Sequence, residues 1–135
     1  MKILLVEDND YKCNDIVASL KACGETDVTR RISRNGSLIE LMEAQDEDRM
    51  YDLVILDMQI PLREEEPWRI LQDGGMEVFE EIKRCEYDTL VAFCSSELIE
   101  NEDALMCIRY DSSVWMKPLF EELLVNAKYA LANKN

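Results

Sequence analysis

Short unbroken apolar runs, each stopped by a polar group, recur along this chain. Ile3-Leu4-Leu5-Val6 stops at Glu7-Asp8, Leu53-Val54-Ile55-Leu56 at Asp57, Val91-Ala92-Phe93-Cys94 at Ser95-Ser96, and Val114-Trp115-Met116 at Lys117-Pro118. Runs of this length and branching predict strands buried on both faces, over Lys2 to Val6, Leu53 to Leu56, Thr89 to Cys94 and Ser113 to Met116. Thr26 to Ile32 alternates instead, with Val28 and Ile32 among Asp27, Thr29 and Arg31, which predicts a half-exposed edge strand.

Between these runs the apolar period becomes helical. Asp10 to Ala22 carries Cys13, Ile16, Val17 and Leu20 on one face and is stopped by Gly24. Asn35 and Gly36 turn the chain into a second helix from about Ser37 to Ala44, faced by Leu38, Leu41 and Met42, and the charge run Asp46 to Arg49 after it is a solvated connection. A third helix opens at Gly75 with Met76, Phe79 and Ile82. A fourth is capped by Ser96, favoured by Glu97 in its first turn, and buries Leu98, Leu105 and Ile108. The last begins around Pro118 and carries Phe120, Leu123, Leu124, Ala127 and Leu131 in the cleanest amphipathic pattern of the chain.

Five strand–helix alternations predict an α/β fold: a doubly wound parallel sheet with right-handed crossovers and helices on both faces. The strand carboxyl ends then share one edge, where the binding crevice opens. Glu7, Asp8, Asp57, Ser95 and Lys117 are expected to meet there.

Composition narrows the function. The 135 residues, 47% of them apolar, suit a single domain over 1–135 with its own core. The 29 acidic against 15 basic residues give a formal charge of −14, which repels phosphate backbones and anionic lipid and argues against direct nucleic-acid or membrane binding. No stretch reaches the ~20 apolar residues of a membrane span, and the first residues turn acidic too soon for a signal peptide, so a cytoplasmic location is expected. Cys13, Cys23, Cys85, Cys94 and Cys107 are odd in number and lack a Cys-x-x-Cys pair, so they read as reduced, small hydrophobes. Histidine is absent. Chemistry therefore falls to carboxylates, hydroxyls and lysine.

Three carboxylates in a small space repel, raising at least one pKa unless a cation joins them. Their all-oxygen character favours a hard ion that keeps several waters, with Mg²⁺ the natural candidate and Mn²⁺ close behind. A nearby lysine is then a point charge for a phosphoryl group, and a carboxylate left free, Asp57 at the centre of the sheet, is a competent nucleophile toward phosphorus.

Lys2-Ile3-Leu4-Leu5-Val6-Glu7-Asp8, Asp57 followed by Pro61, Ser95 after an apolar strand, and Lys117-Pro118 together resemble the receiver domain of two-component response regulators, over essentially the whole chain. The resemblance implies a flavodoxin-like (βα)5 fold with strand order 2-1-3-4-5. It implies that Glu7 and Asp8, with Asp57 and the backbone carbonyl of Gln59, hold Mg²⁺, and that Asp57 accepts a phosphoryl group from a partner kinase's phosphohistidine. Ser95 would bind one phosphate oxygen and Lys117 another, although Ser96 beside Ser95 competes for the same part. Gln59 and Glu97 would flank the hydrolytic water and favour autodephosphorylation. The implied partners are a histidine kinase or phosphotransfer protein and a downstream protein target or output domain. The chain would then be a signalling domain, assisting only its own phosphorylation and dephosphorylation.

Other classes fit less well. A haloacid-dehalogenase-type phosphatase resembles Asp-x-Asp, and here the second position is Gln59; a flavin carrier of the same fold needs a phosphate loop where Glu7-Asp8-Asn9-Asp10 would repel phosphate. The remaining alternative is a receiver-like protein-binding module that is not phosphorylated in normal use. Two departures stand out. The position three before the lysine, usually Tyr or Phe in the family, is Val114, with Trp115 expected on the opposite side of the strand. The stretch from Met58 to Gly74 is also far longer than the roughly 2–6 residues of a βα loop. Its inserted part, 62–73, contains Glu64-Glu65-Glu66 and then Pro67-Trp68-Arg69-Ile70-Leu71, predicting a short helix from Pro67 to Gln72. One or two turns need packing to survive. Trp68, Ile70 and Leu71 are thus either a lid or partner-selecting element, or part of a self-packed or disordered surface loop.

Overall fold

The computed structural model describes residues 1–134. Its elements are β1 (Ile3–Val6), α1 (Asp10–Ala22), β2 (Val28–Arg31), α2 (Arg34–Asp46), β3 (Leu53–Leu56), β4 (Ile60–Pro61), β5 (Ile70–Leu71), α3 (Gly74–Arg84), β6 (Leu90–Ser95), β7 (Met106–Arg109) and α4 (Lys117–Ala132). Five strands form one sheet in the order β2-β1-β3-β6-β7, with each pairing parallel. Setting aside the β4–β5 hairpin, this is the expected order 2-1-3-4-5.

Strand alternation divides the core in two. Ile3, Leu5, Leu53, Ile55, Ala92, Cys94 and Ile108 face α1 and α4, meeting Ile16, Leu20, Phe120 and Leu123. Leu4, Val6, Val54, Leu56, Val91 and Phe93 face α2 and α3, meeting Leu41, Phe79 and Ile82. The central strands β1 and β3 are buried on both faces, whereas β2 is half-buried along its length, as an edge strand should be.

Several predicted elements differ. Helix α2 begins at Arg34, three residues before Ser37, because the Ser33 hydroxyl accepts from the Gly36 N–H at 2.9 Å and caps it. Asn35 and Gly36 thus lie inside the helix instead of turning into it. Val17 and Met42, assigned to buried faces, are exposed. Gly24 does end the first helical unit, with φ +89° in the left-handed region.

The helix expected after Ser96 does not form. Residues 96–105 cross irregularly from β6 to β7, and Leu98 is exposed. Glu97, Glu100 and Asp103 would repel one another at i, i+3 on a helix, and the Asn101 side chain accepts from the Asp103 N–H at 2.9 Å, a local turn that competes with helix. The last strand is Met106–Arg109 instead of Ser113 to Met116, and it carries Ile108 as a strand residue. Residues 113–116 form a turn and the lead into α4, leaving Val114 and Trp115 both exposed, so their predicted two-sided strand placement lapses.

The insertion is a hairpin in place of the predicted helix from Pro67 to Gln72. Ile60 pairs with Leu71 and Pro61 with Ile70, antiparallel. Leu62 N–H donates to the Arg69 carbonyl at 3.0 Å, and Glu66 pairs with Arg63 and Arg69 at 3.6 and 3.4 Å. Pro67 biases Glu66 toward extended backbone, and fully buried Ile60 supplies the anchor that an isolated turn of helix lacks. Trp68 stands out at 76% exposure, so it packs against little of this domain.

The hairpin returns the chain to α3 through a close approach: the Gly75 N–H donates to the Met58 carbonyl at 2.9 Å, and a Cβ on Gly75 would stand 1.9 Å from the Asp57 backbone oxygen. Gly75→Ala must therefore shift backbone and should cost about 1–3 kcal/mol or more. Trp68→Ala should stay within about 0.5 kcal/mol of the parent. Urea unfolding of the two variants checks this, and equal midpoints would contradict it.

Candidate functional site

Each acid of the site arrives at the end of a buried strand. Glu7 and Asp8 follow β1, and Asp57 follows β3, which pairs directly with β1. Apolar side chains fix both strands from both faces, so the carboxylates are held at the sheet edge by the core beneath them. One carboxylate oxygen from each of Glu7, Asp8 and Asp57 lies within 4.8 Å of the others. Asp57 also accepts from the Met58 N–H at 2.8 Å, and Glu7 from the Asn9 N–H at 3.1 Å. They line a crevice of about 610 Å³ together with Lys12, Ser95 and Tyr110.

A cation already sits among them. Lys12, in the first turn of α1, is 7% exposed and sends its ammonium inward. Nζ lies 2.8 Å from Glu7 Oε1 and 3.3 Å from Asp57 Oδ1, and it donates to the Cys94 carbonyl at 2.8 Å. The Tyr110 ring, just past β7, stands 5.5 Å from it, and the Tyr110 hydroxyl donates to Asp15 at 2.8 Å. Helix α1 is aimed by Asn9, whose side chain accepts from the Lys12 N–H at 2.9 Å.

Burial lowers the Lys12 pKa, but Asp57 and Glu7 outweigh it and the net shift is upward. Burial pushes Glu7 up to about 7, with Lys12 opposing and Asp57 reinforcing. Asp8 is also raised, first by burial.

Ser95 closes β6 and is buried at the crevice wall, where its hydroxyl accepts from the Glu97 N–H at 3.2 Å. Ser96 lines the same crevice but caps no helix. At the rim, the Gln59 amide donates to Glu97 at 3.1 Å and to Gln72 at 2.9 Å. Ile70 of the hairpin lines the crevice; Leu71 is half-buried beside Ile60; Trp68 does not reach it.

Lys117 is the one expected member that the structure leaves out. It is the first residue of α4 and forms an ion pair with Glu121, one turn along. Because the last strand ends at Arg109, Lys117 no longer follows a strand end, and the crevice lining does not include it.

The acids suit a hard divalent ion: their donors are all oxygen, they converge, and two come from consecutive residues. Lys12 shares two of those carboxylates, so metal and ammonium would divide the same negative charge.

No family model and no curated protein sequence matches the chain. Solved structures do. A response regulator receiver domain protein from Clostridium thermocellum matches with TM-score 0.68 at 20% identity, covering 97% of this chain and 96% of that one. The phosphorylated cyanobacterial phytochrome response regulator RcpA matches at 0.66 and 22%, covering 99% and 96%. The response regulator TrrA from Thermotoga maritima, in complex with Mg²⁺ and beryllofluoride, matches at 0.68 and 20%, covering 93% and 99%. This chain has the receiver-domain fold. Within that receiver fold, four crossover or closing helices are present among the described residues, and the crossover between β6 and β7 is irregular.

Lys12 was legible in part. It lies four residues before Ile16 and seven before Ser19, all three buried on one face of α1, and a lysine on the buried side of a helix asks for an anionic partner. Val17, apolar yet exposed, points the hydrophobic pattern away from that face.

Glu7 makes a pH-dependent contribution to stability. Its folded pKa, about 7, exceeds the unfolded value near 4.5, so the folded state binds its proton more tightly. That stabilisation is fully present below about 4.5 and is lost as pH rises through about 7. In metal-free buffer, the stability of the parent relative to Glu7→Gln should fall across this window, by up to about 1.4 kcal/mol per pH unit. Urea unfolding at a series of pH values measures it. A difference that stays flat would show that Glu7 is not the titrating group.

Proposed function

We propose that this chain is a phosphoacceptor receiver of a two-component phosphorelay: Asp57 takes a phosphoryl group from the phosphohistidine of a kinase or phosphotransfer protein, and the change switches protein–protein interactions. The observation that carries this reading is the meeting of the Glu7, Asp8 and Asp57 carboxylates within 4.8 Å at the strand-end edge of a receiver fold. In the transfer, a carboxylate oxygen of Asp57 attacks phosphorus, the P–N bond of the phosphoimidazole breaks, and its electron pair returns to the ring nitrogen. The products are an acyl phosphate and free imidazole. These 135 residues contain no histidine, so the donor imidazole lies outside them.

Glu7, Asp8, Asp57 and the Gln59 backbone carbonyl would hold Mg²⁺, or Mn²⁺ in its place. The ion, when bound, supplies positive charge for the phosphoryl oxygens. Ser95, at the end of the strand beside β3, would offer its hydroxyl to a phosphoryl oxygen. Gln59 and Glu97, hydrogen-bonded to each other, would flank the hydrolytic water and favour autodephosphorylation. The hairpin, with Ile70 in the crevice lining and Trp68 exposed, is a lid or partner-selecting element of the same site. The chain acts on itself and on no external substrate. Its charge of −14 supports protein partners and argues against nucleic acid, and no helix among the described residues is long and apolar enough to cross a membrane.

A second reading, a receiver-like protein-binding module that is not phosphorylated in normal use, is favoured by one observation: Lys117 does not reach the crevice. Incubation with Mg²⁺ and acetyl phosphate, followed by intact-mass measurement, separates the two. The parent should gain one phosphoryl group and Asp57→Ala none. A parent that stays unmodified would support the module, and labelling of Asp57→Ala at the parent's level would refute the acceptor assignment.

A further inference from the structure

A phosphoryl group on Asp57 replaces the single carboxylate charge with up to two, carried on phosphoryl oxygens further into a crevice already lined by Glu7, Asp8 and Glu97. Lys12 is the one cationic side chain among the residues lining that crevice. Lys117 is held at Glu121, and the nearby Arg30 donates to the Glu7 backbone carbonyl at 2.9 Å and pairs with Asp10 at 2.8 Å. The Lys12 ammonium lies 3.3 Å from the very carboxylate that would be phosphorylated, on a flexible four-carbon stem that lets it shift between neighbouring acceptors.

We propose that Lys12, delivered from α1, is the residue that pairs with the phosphoryl group on Asp57, replacing Lys117 at the start of α4. The inference rests on the receiver function proposed above. Before transfer, the ammonium holds Asp57 and Glu7; after it, the ammonium turns from Glu7 to a phosphoryl oxygen while keeping the Cys94 carbonyl as its fixed point. The Cys94 bond ties Lys12 to the end of β6, one residue before Ser95, so the ammonium and the hydroxyl would reach the phosphoryl group from adjoining places. Tyr110 forms the wall behind the ammonium and, through its bond to Asp15, is fixed to α1 as well.

The test compares the parent with Lys12→Met, Lys12→Arg and Lys117→Ala in two measurements: the rate of adduct formation with acetyl phosphate and Mg²⁺, and Mg²⁺ affinity by calorimetry without phosphodonor. Lys12→Met should form adduct about a hundredfold more slowly. It should also bind Mg²⁺ several-fold more tightly, because the ammonium that shares Glu7 and Asp57 is gone; a merely structural role would not tighten metal binding while slowing transfer. Lys12→Arg should recover part of the rate, and Lys117→Ala should match the parent in both measurements. Parent-like labelling of Lys12→Met would overturn the inference, as would loss of adduct in Lys117→Ala. If Lys12→Met does not fold, Lys117→Ala still decides: retained adduct supports Lys12, and lost adduct refutes it. An unlabelled parent would refute the receiver function itself, whereas a labelled parent with unaffected Lys12 variants refutes only the part given to Lys12.

Discussion

The ammonium of Lys12, closed in by Glu7, Asp57 and the Cys94 carbonyl, is the interaction on which the crevice depends. Bringing carboxylates together at the end of a hydrophobic sheet is unfavourable, since each loses water and repels the others. A buried ion pair seldom adds much net stability, yet removing one partner typically costs about 3–5 kcal/mol because the other is left uncompensated. Lys12 therefore offsets, from within the chain, the same repulsion among these carboxylates that a divalent ion would offset. It makes a cluster of acids tolerable at the end of a buried sheet. Its ammonium donates to the Cys94 carbonyl and is ion-paired with both Glu7 and Asp57, and that is why a charged residue can occupy the buried face of α1.

The rest of the fold serves to hold this arrangement. Strands β1 and β3 are apolar on both faces, so neither Glu7 nor Asp57 can turn away from the edge without exposing core. Gly75 lets the start of α3 close against the Asp57 backbone. The irregular crossover after β6 brings β7 to an end at Arg109, which places Tyr110 beside Lys12 and sends Lys117 onward into α4. Loss of one helix and relocation of one lysine are thus consequences of the same shortened connection.

Strands whose runs are apolar throughout were legible in the sequence, because continuous burial leaves little else for Ile3 to Val6 or Leu53 to Leu56 to be. Helix α1 and the closing helix were legible from spacing and stop signals. The acids followed, since strand-end residues of a parallel sheet must share an edge. The region after Ser95 misled because two apolar runs, Leu105 to Ile108 and Val114 to Met116, competed for one strand, and Lys117-Pro118 lent weight to the second. Local propensity cannot choose between them; pairing with β6 does, through Cys94 to Ile108 and Ser95 to Arg109. The hairpin at 60–71 was hidden for a similar reason: its pairing of Ile60 with Leu71 is non-local, and Pro67 is compatible with a helix start and with a turn.

In the proposed transfer, the carboxylate held by Lys12 at the end of β3 becomes an acyl phosphate. Borohydride reduces an acyl phosphate to the alcohol, converting a phosphorylated aspartate to homoserine, and leaves free carboxylates untouched. Reduction after treatment with Mg²⁺ and acetyl phosphate, followed by peptide mass spectrometry, should find homoserine at position 57 and aspartate at position 8. Homoserine at position 8, or at neither position in a protein that is otherwise folded and metal-bound, would contradict the account.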